Sequence, residues 1–149
     1  MALFDVISED IKKAMIAKDK VALEALRGVK KEFLEAKTAK GASGELADDA
    51  ALKILQKMVK QRKESAQIFI EQNRPELAAN ELAEAAVIEK YLPAKLSDAE
   101  LEAEIKAIIA EVGAKTAQEM GKVMGVATKK LAGKADGKEI SAKVKALLS

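Results

Sequence analysis

Residues 48–93 read DDAALKILQKMVKQRKESAQIFIEQNRPELAANELAEAAVIEKYLP, and this stretch decides the fold class. Leu52, Leu55, Val59, Ala66 and Phe69 recur at steps of three, four and seven, which predicts one buried wall on a long helix from about Asp48 to Asn73. Asn73-Arg74-Pro75 ends it, and the fixed φ of proline suits the first turn of a following helix. Leu77, Leu82, Ala85, Ile88 and Tyr91 line that second helix. Leu92-Pro93 stops it, because the residue before a proline is pushed out of helical geometry. The pattern is a helical hairpin followed by a boundary.

The same period runs outward in both directions. Upstream, Leu3, Ile7, Ile11, Ala14 and Met15 mark a first helix to about Lys18. Asp19 caps a second, whose stripe is Ala22, Leu26, Val29 and Phe33, with Gly28 expected at a close crossing. Gly41-Ala42-Ser43-Gly44 breaks the pattern and reads as a mobile loop. Downstream, Ser97-Asp98-Ala99-Glu100 is a capping box opening a fifth helix, with Leu101, Ile105, Ile108 and Ile109 buried and Gly113 at its end. Thr116 to Glu119 reads as a second box before a helix faced by Met120, Val123, Met124, Ala127 and Leu131. Asp136 to Glu139 reads as a third, before Ile140, Val144 and Leu147. An all-α protein follows, with a four-helix N-terminal lobe at 1–93 and a three-helix C-terminal lobe at 94–149. No strand or internal repeat is legible.

Composition agrees and excludes much chemistry. Of 149 residues 29 are Ala, only four are aromatic, and Gly (8) and Pro (2) are scarce, so the core must be aliphatic and helical. There is no Cys, which removes thiolate catalysis and cysteine-ligated metals, and no His, which removes the commonest general base. No Ser sits in a nucleophile arrangement, no metal-ligand spacing is present, and no cofactor is expected. Glu81, Glu84, Glu100, Glu102 and Glu104 read as ordinary surface carboxylates without shifted pKa values. The acid-bearing amphipathic amino terminus resembles neither a secretory signal nor a transit peptide, and no apolar run approaches a membrane span, so a cytoplasmic protein is expected.

Net charge is only +2, yet it is unevenly spread. Residues 1–93 balance 16 basic against 16 acidic side chains, whereas 113–149 hold 8 lysines against 3 acids. Gly133-Lys134-Ala135-Asp136-Gly137-Lys138 sets two ammonium groups beside a helix amino terminus, a place that favours anions. With Lys115, Lys122, Lys129 and Lys130 nearby, the segment suits a phosphate backbone; solvated turn lysines are the bland alternative. Gly121-Lys122-Val123-Met124-Gly125 lacks the length and the Ser or Thr of a phosphate loop, so its glycines read as close-packing positions. Lys60-Gln61-Arg62-Lys63 reads as a solvated face, or as a contact for an acidic partner.

Four runs taken together resemble the small bacterial GatB/YqeY family: Val59 to Ser65, Tyr91 to Ser97, Met120 to Gly125 and Gly133 to Lys138, in the family's order. Asn73-Arg74-Pro75 departs from it, standing where a glycine-containing turn is expected. The resemblance implies an all-helical fold whose C-terminal lobe is similar to the tail domain of the tRNA-dependent Glu/Asp amidotransferase B subunit, which helps hold tRNA. It also carries a class label, carbon–nitrogen ligase with glutamine as amide donor, for which these residues supply no catalytic set.

The sequence therefore predicts a non-catalytic helical adaptor that meets tRNA, or tRNA-charging machinery, through phosphates. Lys122, Lys129, Lys130, Lys134 and Lys138 are the expected contacts, and Gly133 and Gly137 form the turn that presents them. The alternatives are an amidotransferase-type activity, or a protein-interaction module using the 48–91 hairpin. No membrane contact is expected.

Overall fold

A computed structural model describes residues 2–39, 41 and 44–149, which form seven α-helices and, among the described residues, no strand. The helices are α1 (Leu3–Ala17), α2 (Lys20–Thr38), α3 (Asp48–Glu71), α4 (Pro75–Glu89), α5 (Asp98–Val112), α6 (Met120–Lys130) and α7 (Gly137–Leu148). A single 3-10 turn, Ala117–Glu119, precedes α6. Ala42 and Ser43 of the expected glycine loop lie outside the described residues; Gly41 and Gly44 both take positive φ. The chain divides into two compact units, Met1–Leu92 and Pro93–Ser149.

In the first unit α3 and α4 pack along one another, while α2 packs against both α1 and α4. Ile7, Val29, Phe33, Leu55 and Ile88 are fully buried at their meeting point. Each such side chain contributes roughly 1.5–3 kcal/mol on removal from water. Met15 and Leu82 of the expected stripes stay about half exposed, and Ala22, Phe69 and Leu77 are only partly buried and lie outside this core. Ala14 is the buried residue of that turn of α1, and Ala78 and Ala85 take the inner face of α4. On a helix this rich in alanine, hydrophobicity runs all the way round, so periodicity marks its inner face weakly.

Local chemistry sets the ends. Asp19 accepts from the Ala22 amide at 3.1 Å. Asn73, at φ 61°, takes the left-handed conformation that a glycine would adopt more cheaply, so the chain turns from α3 into Pro75 without one. Gly28 does sit at a crossing: a Cβ there would lie 3.3 Å from Arg62 Nη2 and 3.8 Å from Met58 Cε. At the end of α4 the Tyr91 hydroxyl donates to Asp10 of α1.

The second unit is a three-helix bundle in which α5, α6 and α7 all touch one another around Ile105, Ile108, Val123, Leu131 and Val144. Ser97 and Glu100 form a complete capping box: the Glu100 amide donates to Ser97 Oγ, and the Ser97 amide donates to Glu100 Oε1. The other two expected boxes do not form. Thr116 makes no cap hydrogen bond; Glu119 instead accepts from the Lys115 amide at 3.2 Å, which accommodates the 3-10 turn before α6. Asp136 stands at the N-cap of α7 in extended backbone, but its side chain makes no cap hydrogen bond to the first turn. Leu148, not Leu147, is the buried residue at the end of α7.

Candidate nucleic-acid interface

The second unit holds ten lysines, and their partners divide them into two sets. Lys130 Nζ lies 2.6 Å from Glu111 on α5, Lys143 is 2.8 Å from Asp98, Lys95 is 3.2 Å from Glu139, and Lys106 is 3.6 Å from Glu102. The hydrogen bond to Asp98 raises the pKa of Lys143. These pairs face α5 or lie on it. The Lys143–Asp98 and Lys95–Glu139 pairs border a shallow groove between the start of α5 and α7, floored by Leu96, Leu101, Ala142 and Ala146. By contrast, Lys115, Lys122, Lys129, Lys134, Lys138 and Lys145 are exposed and, among the described residues, form no ion pair.

Helical geometry then says where the unpaired set points. On α6, Val123 and Ala127 face the core and Lys130 turns to α5. At 100° per residue, the flank away from α5 carries Thr128 and Gly121, Gly125 points outward, and Lys129 and Lys122 lie past it on the exposed side that turns back toward Lys130. On α7, Ile140, Val144 and Leu148 face inward and Lys143 turns to α5, so the far flank carries Ser141, Lys145 and Lys138. The two far flanks adjoin, because α6 and α7 pack directly. Lys122 and Lys129 thus stand together on the exposed side of α6, past Gly125, and Lys138 and Lys145 stand together on the flank of α7 away from Lys143. Each pair is separated by seven residues, about 10 Å along its helix.

Only three acidic side chains occur in 113–149, against eight lysines. Glu139 is held by Lys95, Glu119 by the Lys115 amide, and Asp136 stands at the α7 N-cap. The excess leaves this part of the unit cationic.

Several expected positions land differently. Gly121 and Gly125 are not close-packing residues: a Cβ at either would meet nothing within 4 Å. Gly133 is buried at φ 77° and shapes the turn, whose Lys134 carbonyl accepts from the Leu96 amide at 2.9 Å. Gly137 is the exposed first residue of α7. Asp136 and Glu139 already answer the dipole at that helix start, leaving the lysines as the cationic feature. Lys130 belongs to the α5 side. Lys145 is the residue that sequence reasoning missed; its seven-residue offset from Lys138, matching Lys122 and Lys129, is the signal that finds it.

In the first unit the run at Lys60 to Lys63 is not a uniformly solvated face. Arg62 keeps 22% of its side-chain exposure and its Nη1 lies 3.9 Å from Glu81, while Nε is buried with no hydrogen-bond partner among the described residues. Lys63 pairs with Glu89. Two carboxylates are also less ordinary than expected. Burial raises the pKa of Glu84, and Glu81 and Glu24 add to this while Arg62 opposes it. Hydrogen bonds from Ser97 lower that of Glu100. Both effects need the fold to be seen. Among the described residues no cluster of acidic side chains is arranged to hold a metal ion, and no helix is long and apolar enough to cross a membrane.

The chain matches a family model, Yqey-like protein, over residues 4–148. Among curated proteins it is similar to three of the same designation, altered inheritance of mitochondria protein 41, mitochondrial. The Lachancea thermotolerans protein is 33% identical over 71% of this chain and 57% of its own length. The Clavispora lusitaniae protein is 34% identical over 78% of this chain and 68% of its own length. A Saccharomyces cerevisiae protein is 34% identical over 61% of this chain and 49% of its own length. The chain thus spans about half to two thirds of the curated relatives it matches.

Proposed function

The chain belongs to the YqeY-like family, and from that premise we propose that it is a non-catalytic adaptor whose C-terminal unit holds tRNA through its phosphates. The observation that carries this reading is the set of exposed lysines on α6 and α7, Lys122, Lys129, Lys138 and Lys145, which form no ion pair among the described residues. Lys134 extends it at the turn. The similarity of the C-terminal lobe to an amidotransferase tail supports the same partner. With no imidazole or thiol in the chain, the reading gives amide transfer to other proteins. Lysines on flexible stems meet phosphates as point charges, so binding follows backbone geometry more than base identity. The proposed compartment is the cytosol; the mitochondrial names belong to the relatives.

The test is tRNA binding by the whole chain as salt is varied. Four phosphate contacts release counterions such that log K falls by about 3–4 per tenfold rise in salt. Each lysine of the quartet changed to Gln flattens that slope by about one unit. Absence of binding at low salt, or a slope indifferent to these substitutions, overturns the proposal.

A second reading, a protein contact on the α3–α4 hairpin, is supported by Ile68, Ile70 and Leu82, each about half exposed. Leu82→Ser in the full chain would abolish a partner's retention if that reading holds and leave it unchanged if it fails.

A further inference from the structure

The exposed side of α6 and α7 has a shape as well as a charge. Gly125 lies between Lys122 and Lys129 on α6, with Gly121 one turn before it, and open space stands over both. Mid-helix glycine is about 0.5–1 kcal/mol less favourable than alanine. Nothing in this chain recovers that difference, because no neighbour approaches either position. The result is a low strip of bare helix bordered by lysines on α6 and by Lys138 and Lys145 across on α7. The whole C-terminal unit, 93–149, has no aromatic residue, so it offers no ring on which an unpaired base could stack.

Resting on the phosphate-binding reading above, we infer that this face takes base-paired RNA, with one sugar–phosphate strand seated over Gly121 and Gly125 and the four lysines on flanking phosphates. The density of charge favours the same ligand. A duplex returns more counterions per neutralised phosphate than a single strand, with slopes of about 0.9 against 0.7 per contact. Across four contacts that difference amounts to roughly sixfold tighter duplex binding at 0.1 M salt. Side-chain bulk at Gly125 then stands where the strand must pass, without altering charge, and its Cβ meets none of the chain's own atoms within 4 Å.

The experiment uses the full chain with three probes: total tRNA, a short blunt RNA duplex, and an unstructured single strand of equal length. The expected result is duplex binding at least fivefold tighter than single-strand binding at 0.1 M salt. Gly125→Leu is expected to weaken duplex binding about tenfold while leaving the salt slope and the helical circular dichroism unchanged. Equal or tighter binding of the single strand overturns the inference and leaves the phosphate reading standing. Unaltered duplex binding by Gly125→Leu overturns the seat over the glycines. Failure to bind any of the three overturns the reading on which the inference rests.

Discussion

Replacing Gly125 by alanine should stabilise the C-terminal unit, and the structure sets the size of the gain. Gly125 sits in the middle of α6, and a Cβ there meets nothing within 4 Å, so packing contributes neither contact nor clash. What remains is helix propensity, about 0.5–1 kcal/mol in favour of alanine. Gly121 lies in the first turn, where the backbone is less committed, and Gly121→Ala should add a smaller increment. Native-state hydrogen exchange of the full chain reads the bundle's own opening free energy. Core amides of α6 and α7 should gain roughly two- to fivefold in protection. If the bundle unfolds as one step, its midpoint should rise by about 2–8 °C. Unchanged or reduced protection would refute the reasoning, since it would mean that a neighbour does crowd these glycines and that they form the close crossing their spacing suggests.

Leu55→Ala removes a fully buried side chain from the first unit and should destabilise it by about 2–5 kcal/mol, measured by urea denaturation. Ser97→Ala breaks the box at the start of α5 and should cost about 1 kcal/mol in the same assay. In that variant the Glu100 pKa, followed by NMR titration, should rise only part of the way toward its ordinary value, because the residue 97 amide still donates to the carboxylate. A carboxyl held low, as Glu100 is, adds stability above its unfolded pKa and loses it as pH falls through the folded one. Glu84 has the opposite sign: its folded pKa is raised, so stability falls as pH climbs from the unfolded value through the folded one. Glu84→Gln should remove that decline and raise the denaturation midpoint at neutral pH.

The fold class was legible because long helices carry their period on large aliphatic residues: Leu26, Val29 and Phe33, or Leu101, Ile105 and Ile108, are buried as their spacing requires. Where alanine fills a helix the signal fades, which is why Leu82 reads as core and is half exposed. Capping boxes are four-residue patterns that turn geometry can overrule, and the 3-10 turn before α6 takes Glu119 for its own use. The candidate face was half legible. Charge counting finds the tail, but only the partners of Lys130 and Lys143 on α5 reveal which flank is left open, and with it Lys145. A glycine pair four residues apart has the same spelling whether a neighbour packs on it or open space lies over it.

The claim that the exposed, unpaired lysines of α6 and α7 hold RNA phosphates meets its most direct test in a charge-matched comparison. Lys122→Gln, Lys129→Gln and Lys138→Gln together remove three charges from that set; Lys95→Gln, Lys106→Gln and Lys130→Gln together remove the same charge from lysines already engaged by Glu139, Glu102 and Glu111. Salt-dependent tRNA binding should keep a slope of about −3 to −4 in the second triple variant and fall to about −1 in the first. Equal slopes in the two would mean that net charge alone attracts the RNA and that the set has no special part in holding it.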